Sequence, residues 1–285
     1  ENIVTDKKNY SDSVIAAFEL KDRVAIITGG AGLLGQKHAE AILECGGIPI
    51  LLDINIDKVR SATTTLIEKY GQQCLGFGVD ITQPDQVEVS CKNIFDQFGR
   101  IDILINNATN NPRIEDIANK DLRLEEYPID EWNKDLTVGL TGAFLCSRIF
   151  GSVMSSAGKG VILNVSSDLG LIGPDQRLYK KAGVNDENQP VKPVTYSVVK
   201  SGLIGLTRYL ATYWADKGVR ANAIAPGGVY TDQEESFVTQ LTNLIPMGRM
   251  ASEDEYKAAV AFMVSDASSY MTGSILPIDG GRTCW

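Results

Sequence analysis

Histidine is almost missing from this chain: His38 is the only one among 285 residues. Cysteine is sparse too. The five, Cys45, Cys74, Cys91, Cys146 and Cys284, are scattered and form no C-x-x-C pair. One histidine without paired cysteines excludes the usual nitrogen–sulfur zinc centre, so no metal is expected. The cysteines read as reduced and mostly buried, and His38, on the helix after a glycine-rich turn, as a packing or surface residue. Positive charge is in deficit: 27 lysines and arginines stand against 36 acidic residues, a net charge of −9. That balance argues against nonspecific binding to nucleic acid or an acidic membrane. No uninterrupted apolar run approaches the length that spans a bilayer, and the first residues lack the apolar core of a secretory signal. A cytoplasmic location is therefore expected.

Apolar residues make up 44% of the chain and charged residues 22%, the balance of a globular domain with a large core. Near the start, residues 24–35 read Val-Ala-Ile-Ile-Thr-Gly-Gly-Ala-Gly-Leu-Leu-Gly. The first four predict a buried parallel strand. The glycines turn the chain into a helix whose first N–H groups and dipole suit a dinucleotide pyrophosphate. Gly29, Gly32 and Gly35 are the phosphate-loop candidates. A second apolar strand ends at Asp53, 18 residues beyond Gly35, where a carboxylate can accept both ribose hydroxyls of an adenosine.

Tyr196 and Lys200 stand one helical turn apart in Tyr-Ser-Val-Val-Lys, so both leave the same helix face. An ammonium beside a phenol favours the phenolate and brings its pKa towards the range useful for proton transfer. Such a tyrosine suits an alcohol or ketone whose oxygen must exchange a proton as hydride moves.

Strand and helix signals alternate from residue 18 onward, which predicts an α/β fold: a Rossmann-type, doubly wound parallel sheet of about seven strands flanked by helices. Residues 1–17 read as an extension and 18–285 as a single domain. Helices are predicted over 32–44, 57–70, 130–156 and 194–217, with another after Thr82 as N-cap. Strands are expected over 101–105, 161–165, 219–224 and 274–278. Ser252 to Glu255 reads as a capping box.

In this order the motifs resemble the short-chain dehydrogenase/reductase family over nearly the whole chain. Asn106-Asn107-Ala108 ends the fourth strand, Asn164-Val165-Ser166-Ser167 the fifth, and Pro226-Gly227-Gly228-Val229-Tyr230-Thr231 follows the sixth. Asp279-Gly280-Gly281 closes the last. The resemblance implies an oxidoreductase acting on CH–OH with NAD as cofactor. It implies Ser167, Tyr196 and Lys200 as catalytic residues. It implies cofactor contacts from Gly29, Gly32, Leu33, Leu34, Gly35 and Asp53, and from Asp80 and Ile81 after the third strand. Asn107, Ala108, Tyr196, Lys200, Pro226, Gly227, Val229 and Thr231 complete that set. It also implies a homo-oligomer, a tetramer, paired through the helices at 130–156 and 194–217.

Two departures stand out. The glycines are spaced T-G-x-x-G-x-x-G, as in the family's extended branch on nucleotide sugars, while the rest follows the single-domain branch. The family's asparagine in a run like V-N-L-T-G is Gly139 here, which removes one member of the proton relay.

Two loops are long. The first, at 109–128, carries Arg113; the second separates Ser167 from Tyr196 by 29 positions and carries Arg177, Lys180, Lys181 and Lys192. The family more often uses about a dozen there, and loops this long are usually functional or disordered. Arg113, Arg177 and Lys181 are candidates for gripping an anionic substrate such as a sugar phosphate, with solvated loop charges as the even alternative. The runs Val138–Ser147, Ser167–Tyr179 and Val191–Lys200 look like the subgroup linked to bacterial surface-sugar and flagellin-glycan pathways. Other readings stay open: a nucleotide-sugar epimerase or dehydratase that recycles NAD, a non-catalytic NAD-binding regulatory protein, and a structural partner in glycan assembly.

Overall fold

The computed structural model of the protein describes residues 13–110 and 123–285. Seven strands form one sheet in the order β3-β2-β1-β4-β5-β6-β7. They are β1 Val24–Thr28, β2 Ile48–Asp53, β3 Leu75–Gly78, β4 Ile103–Asn106, β5 Gly160–Val165, β6 Val219–Pro226 and β7 Ile275–Ile278. Every neighbouring pair is parallel. Strands β1, β4 and β5 are buried along their whole length, which is why they read as mainly apolar runs. Chain order reverses between β1 and β4, opening a crevice at their carboxyl ends.

Helices α1 Leu33–Glu44, α2 Ile56–Tyr70 and α3 Pro84–Phe98 follow the first three strands. Asn55 caps α2 by accepting from the Lys58 N–H. Thr82 does not cap α3 as its sequence suggested. Asp80 takes both its N–H, at 2.9 Å, and its hydroxyl, at 2.7 Å, and the N-cap falls on Gln83.

Next come α4 Ile129–Leu136, a π-helical turn Thr137–Thr141 and α5 Gly142–Ala157. This continuous run is long and apolar enough by length and composition to cross a membrane, although no single apolar stretch in it is long. It lies against the sheet instead, with Cys146, Phe150 and Met154 in the core. Helix α6 Val194–Tyr213 covers the same region of the sheet. Helices α7 Glu235–Thr242 and α8 Lys257–Val264 complete the set, and the predicted capping box at Ser252 and Glu255 is present.

Gly139 lies inside the π-helical turn. A Cβ there would stand 2.5 Å from Cγ1 of Val199, which is buried on α6. The valine thus fills the space that an asparagine at 139 would need. Gly139→Asn is expected to destabilise the protein by about 1–3 kcal/mol, the usual penalty of overpacking, and Val199→Ala in the same chain should recover most of it. Urea unfolding of both single variants and the double variant reads this out. Additive penalties would show that Val199 does not occupy that space.

Before the sheet, Phe18 packs beside Phe262 at 6.3 Å and Leu20 is fully buried, while residues 1–12 of the expected extension lie outside the described residues. Cys74, Cys91 and Cys146 are buried, Cys45 is half-buried and Cys284 is exposed; none is bridged.

Candidate active site

A cleft of about 750 Å³ lies at the carboxyl ends of the strands. Its floor is the turn from β1 into α1. Gly29 holds φ +59°, and a Cβ there would stand 2.9 Å from the Ala108 Cα. Thr28 Oγ1 accepts the N–H groups of Asn107 and Ala108 at 3.0 and 3.1 Å. The Asn107 amide donates to the carbonyls of Thr28 and Gly29 at 3.0 and 3.1 Å. The side chain of Asn107 is therefore engaged in clamping the glycine turn.

Helix α1 starts without a side-chain cap at Gly32, so the first-turn N–H groups of Leu33 and Leu34 face the cleft. Asp53 stands on the wall. One of its oxygens accepts the Asn55 N–H at 3.1 Å and the other is left for a ligand. An uncapped helix end facing a carboxylate fits the pyrophosphate and ribose of a dinucleotide.

Of the remaining expected cofactor residues, Pro226, Gly227, Val229 and Thr231 line the cleft, and Gln233 holds their loop through the Val229 carbonyl and the Thr231 N–H, both at 2.8 Å. Three do not line it. Gly35 sits behind the turn, where a Cβ would come within 2.3 Å of the Gly29 oxygen, so its glycine serves packing. Asp80 is turned to Thr82, and Ile81 is buried where it would meet a Cβ on Gly142.

At the other end Ser167, Tyr196 and Lys200 converge on the cleft. Asn106 and Asn164 join at 2.8 Å in the buried sheet, and Asn164 reaches Thr207 of α6 at 2.8 Å, fixing α6 against β5. Lys200 Nζ donates to the Val165 carbonyl at 2.9 Å and lies 5.7 Å from the Tyr196 ring centroid. Burial, and after it the charge of Lys192, lowers the Lys200 pKa to about 8. Tyr196 shows no net depression. Burial raises its pKa, a hydrogen bond with Ser167 opposes the rise, and the Asp168 charge adds to it. Desolvation sets the direction, and the depression expected from Lys200 does not emerge.

Ser167 donates its one proton to Asp168 Oδ1 at 2.7 Å and accepts the Leu169 N–H at 3.2 Å. Asp168 Oδ2 accepts from Arg282 Nη1 at 2.6 Å, and both side chains are buried. The sequence motifs do not single out Asp168, Arg282 or Lys58, which also lines the cleft. Lys192 stands out in the sequence only as one charge of the insertion. Its Nζ lies 3.9 Å above the Tyr196 ring centroid, and burial lowers its pKa to about 8 against the pull of Asp168.

The other expected substrate residues lie elsewhere. Arg177 is chelated by Asp175, two residues away, and its side chain is 81% exposed. Lys181 is exposed and does not line the cleft; Arg113 lies outside the described residues. The insertion is pinned rather than loose. Gln189 bonds the Lys181 N–H and carbonyl, and Leu178 packs with Leu241, Ile245 and Met250. His38 is fully buried, neither ring nitrogen makes a hydrogen bond of normal geometry among the described residues, and burial lowers its pKa to about 4 against the opposing effect of Asn107.

The family model described as Enoyl-(Acyl carrier protein) reductase matches residues 30–283. A D-threitol dehydrogenase from Mycolicibacterium smegmatis is 32% identical, over 95% of this chain and 96% of that protein. An NAD-dependent glycerol dehydrogenase from Listeria innocua is 32% identical over 93% and 96%. The crystal structure of a gluconate 5-dehydrogenase from Burkholderia cenocepacia, in complex with NADP and tartrate, superposes with a TM-score of 0.83 at 25% identity, covering 96% of this chain and all of that one. The chain belongs to the short-chain dehydrogenase/reductase family and is an oxidoreductase of that type.

Proposed function

We propose that this protein is an NAD(H)-dependent dehydrogenase that moves hydride to or from the carbinol carbon of a polar small molecule. The observation that carries the reading is one cleft holding both the uncapped start of α1 with Asp53 and the trio Ser167, Tyr196 and Lys200. The nicotinamide cofactor supplies or accepts the hydride when bound. Tyr196 exchanges a proton with the substrate oxygen. Ser167 touches the same oxygen and orients it, with its own hydroxyl set by Asp168. Lys200 holds positive charge beside both; its Nζ gives one N–H to the Val165 carbonyl and would hold the ribose of the cofactor with the others. The polyol and sugar-acid names of the relatives support a substrate of that kind. The finer assignment, an amino-sugar or sugar-phosphate intermediate of bacterial surface-glycan assembly, rests on the runs Val138–Ser147, Ser167–Tyr179 and Val191–Lys200. A substrate screen that includes amino-sugar intermediates, following NADH absorbance, tests it. The proposed setting is the cytoplasm.

NADH should bind more tightly than NADPH. Asp53 would face the 2′-phosphate, and like charges with a lost hydrogen bond are worth about 2–4 kcal/mol. Lys58 on the same wall offsets part of that repulsion. Titration of intrinsic fluorescence measures both dissociation constants, and equal values would contradict the assignment.

The protein should also form a homo-oligomer, a tetramer. Phe144 of α5 and Val198, Tyr209 and Tyr213 of α6 are exposed apolar side chains on the two helices that the family pairs. Light scattering at micromolar concentration should return a multiple of the 30.9 kDa chain mass, and a monomer would refute it.

A further inference from the structure

We infer that Asp135 is a positioning residue for Tyr196: it holds the first turn of α6 through Thr195 and so keeps the phenol aimed into the cleft. This rests on the dehydrogenase reading, in which Tyr196 carries the proton.

Tyr196 sits where a helix is weakest. It is the third residue of α6, and the N-cap, Pro193, offers no side-chain bond to the first-turn N–H groups. Helix ends fray unless something outside the helix holds them. Here Thr195 is the hold. It is 1% exposed, and its hydroxyl donates to Asp135 Oδ2 of α4 at 2.6 Å. Successive helical residues point about 100° apart, so Thr195 can face α4 while Tyr196 lines the cleft.

Asp135 is a junction rather than a single contact. Thr195 gives its one proton to the carboxylate, so the Tyr127 hydroxyl is the donor to both neighbours, Asp135 Oδ2 at 3.1 Å and Thr195 Oγ1 at 3.0 Å. Asn110 Nδ2 donates to Asp135 Oδ1 at 3.2 Å. Burial raises the Tyr127 pKa, and the Asp135 charge adds to the rise against the bond with Thr195, so the phenol keeps the proton it shares. Hydrogen bonds to a carboxylate are the stronger kind, and three donors fix this half-buried one in place. They join the segment after β4, the approach to α4, α4 itself and the start of α6.

Gly139 belongs to the same arrangement. It stands four residues beyond Asp135 on the continuous helical run, as Val199 stands four beyond Thr195 on α6. A Cβ at 139 would come within 2.5 Å of Val199 Cγ1, and one on Gly202 within 3.0 Å of Leu140 Cδ2. The two helices therefore meet closely over successive turns. The missing side chain at 139 brings α6 near enough for Thr195 to reach Asp135.

Two substitutions at Thr195 separate the hydroxyl from the shape: Thr195→Val removes the hydroxyl and Thr195→Ser keeps it. With 3-fluorotyrosine in place of Tyr196 and NADH bound, the parent protein should give one narrow fluorine line. Thr195→Val should shift or broaden that line, and Thr195→Ser should restore it. With NAD and D-threitol as the turnover probe, Thr195→Val should lower kcat roughly ten- to a hundredfold, the cost of moving a reacting group by about 1 Å. The dissociation constant for NADH should stay within about twofold, because the loss lies in the chemical step. Asp135→Leu should act in the same direction, and its effect should shrink in the Thr195→Val background, as for two halves of one contact. A thermal melt confirms that each variant folds. The same fluorine change in protein that turns over neither D-threitol nor glycerol would support the positioning and count against the dehydrogenase reading. A fluorine line and kcat that match the parent in Thr195→Val would overturn the positioning. So would an equal loss in Thr195→Ser, which would make the hydroxyl irrelevant. A matching rise in the NADH dissociation constant would overturn it too, making the contact a general prop of the cleft.

Discussion

Tyr196→Phe is expected to lower kcat by roughly 10²–10⁴-fold, the contribution of a positioned acid/base group. Its fold and NADH affinity should match wild type. The substitution removes one hydroxyl and keeps the ring that Lys192 overlies. The effect should fall on kcat, because proton transfer belongs to the transition state. A variant with unchanged kcat would remove Tyr196 from the chemistry and leave the cleft a binding site alone. The pH dependence follows from the same surroundings. Burial holds the phenol above its ordinary pKa without cofactor, so oxidation of an alcohol, which needs the phenolate, should quicken towards alkaline pH. Lys200 and Lys192 lose charge near pH 8, which should limit that rise.

Arg282→Met is expected to destabilise the protein by about 3–5 kcal/mol, because it leaves the Asp168 carboxylate buried without its partner. The two side chains are 7% and 4% exposed, and Arg282 is the contact that ties the carboxyl-terminal segment to the residue after Ser167. Replacing both, as Arg282→Met with Asp168→Leu, should recover much of the loss, since no charge is then stranded. Denaturant unfolding of the two variants measures it. A single variant within about 1 kcal/mol of wild type would mean that water reaches Asp168. Activity should fall further than stability explains, because Asp168 sets the Ser167 hydroxyl.

The sheet was legible because buried parallel strands such as Val24–Thr28 and Gly160–Val165 are mostly apolar and the glycine turn follows the first directly. Tyr196 and Lys200 were legible because helical spacing alone puts them together. The substrate end was not. Which charge of a long insertion turns inward depends on distant packing, here Leu178 against Leu241, Ile245 and Met250. The local chelation of Arg177 by Asp175 gave no signal distinct from an ordinary loop. Arg282 follows a recognised Asp-Gly-Gly turn, yet its partner lies 114 positions earlier. Asp80 was named from the family's pattern, and a turn bond from Thr82, two residues on, holds one of its oxygens.

Net hydride transfer on an alcohol is read most simply from NADH accumulation. Wild-type protein should be incubated with NAD and a panel of polyols, sugar acids and sugar phosphates, with product analysis alongside absorbance. NADH should form mole for mole with a carbonyl product. An epimerised or dehydrated product without net NADH would contradict the dehydrogenase reading and favour an enzyme that recycles its cofactor.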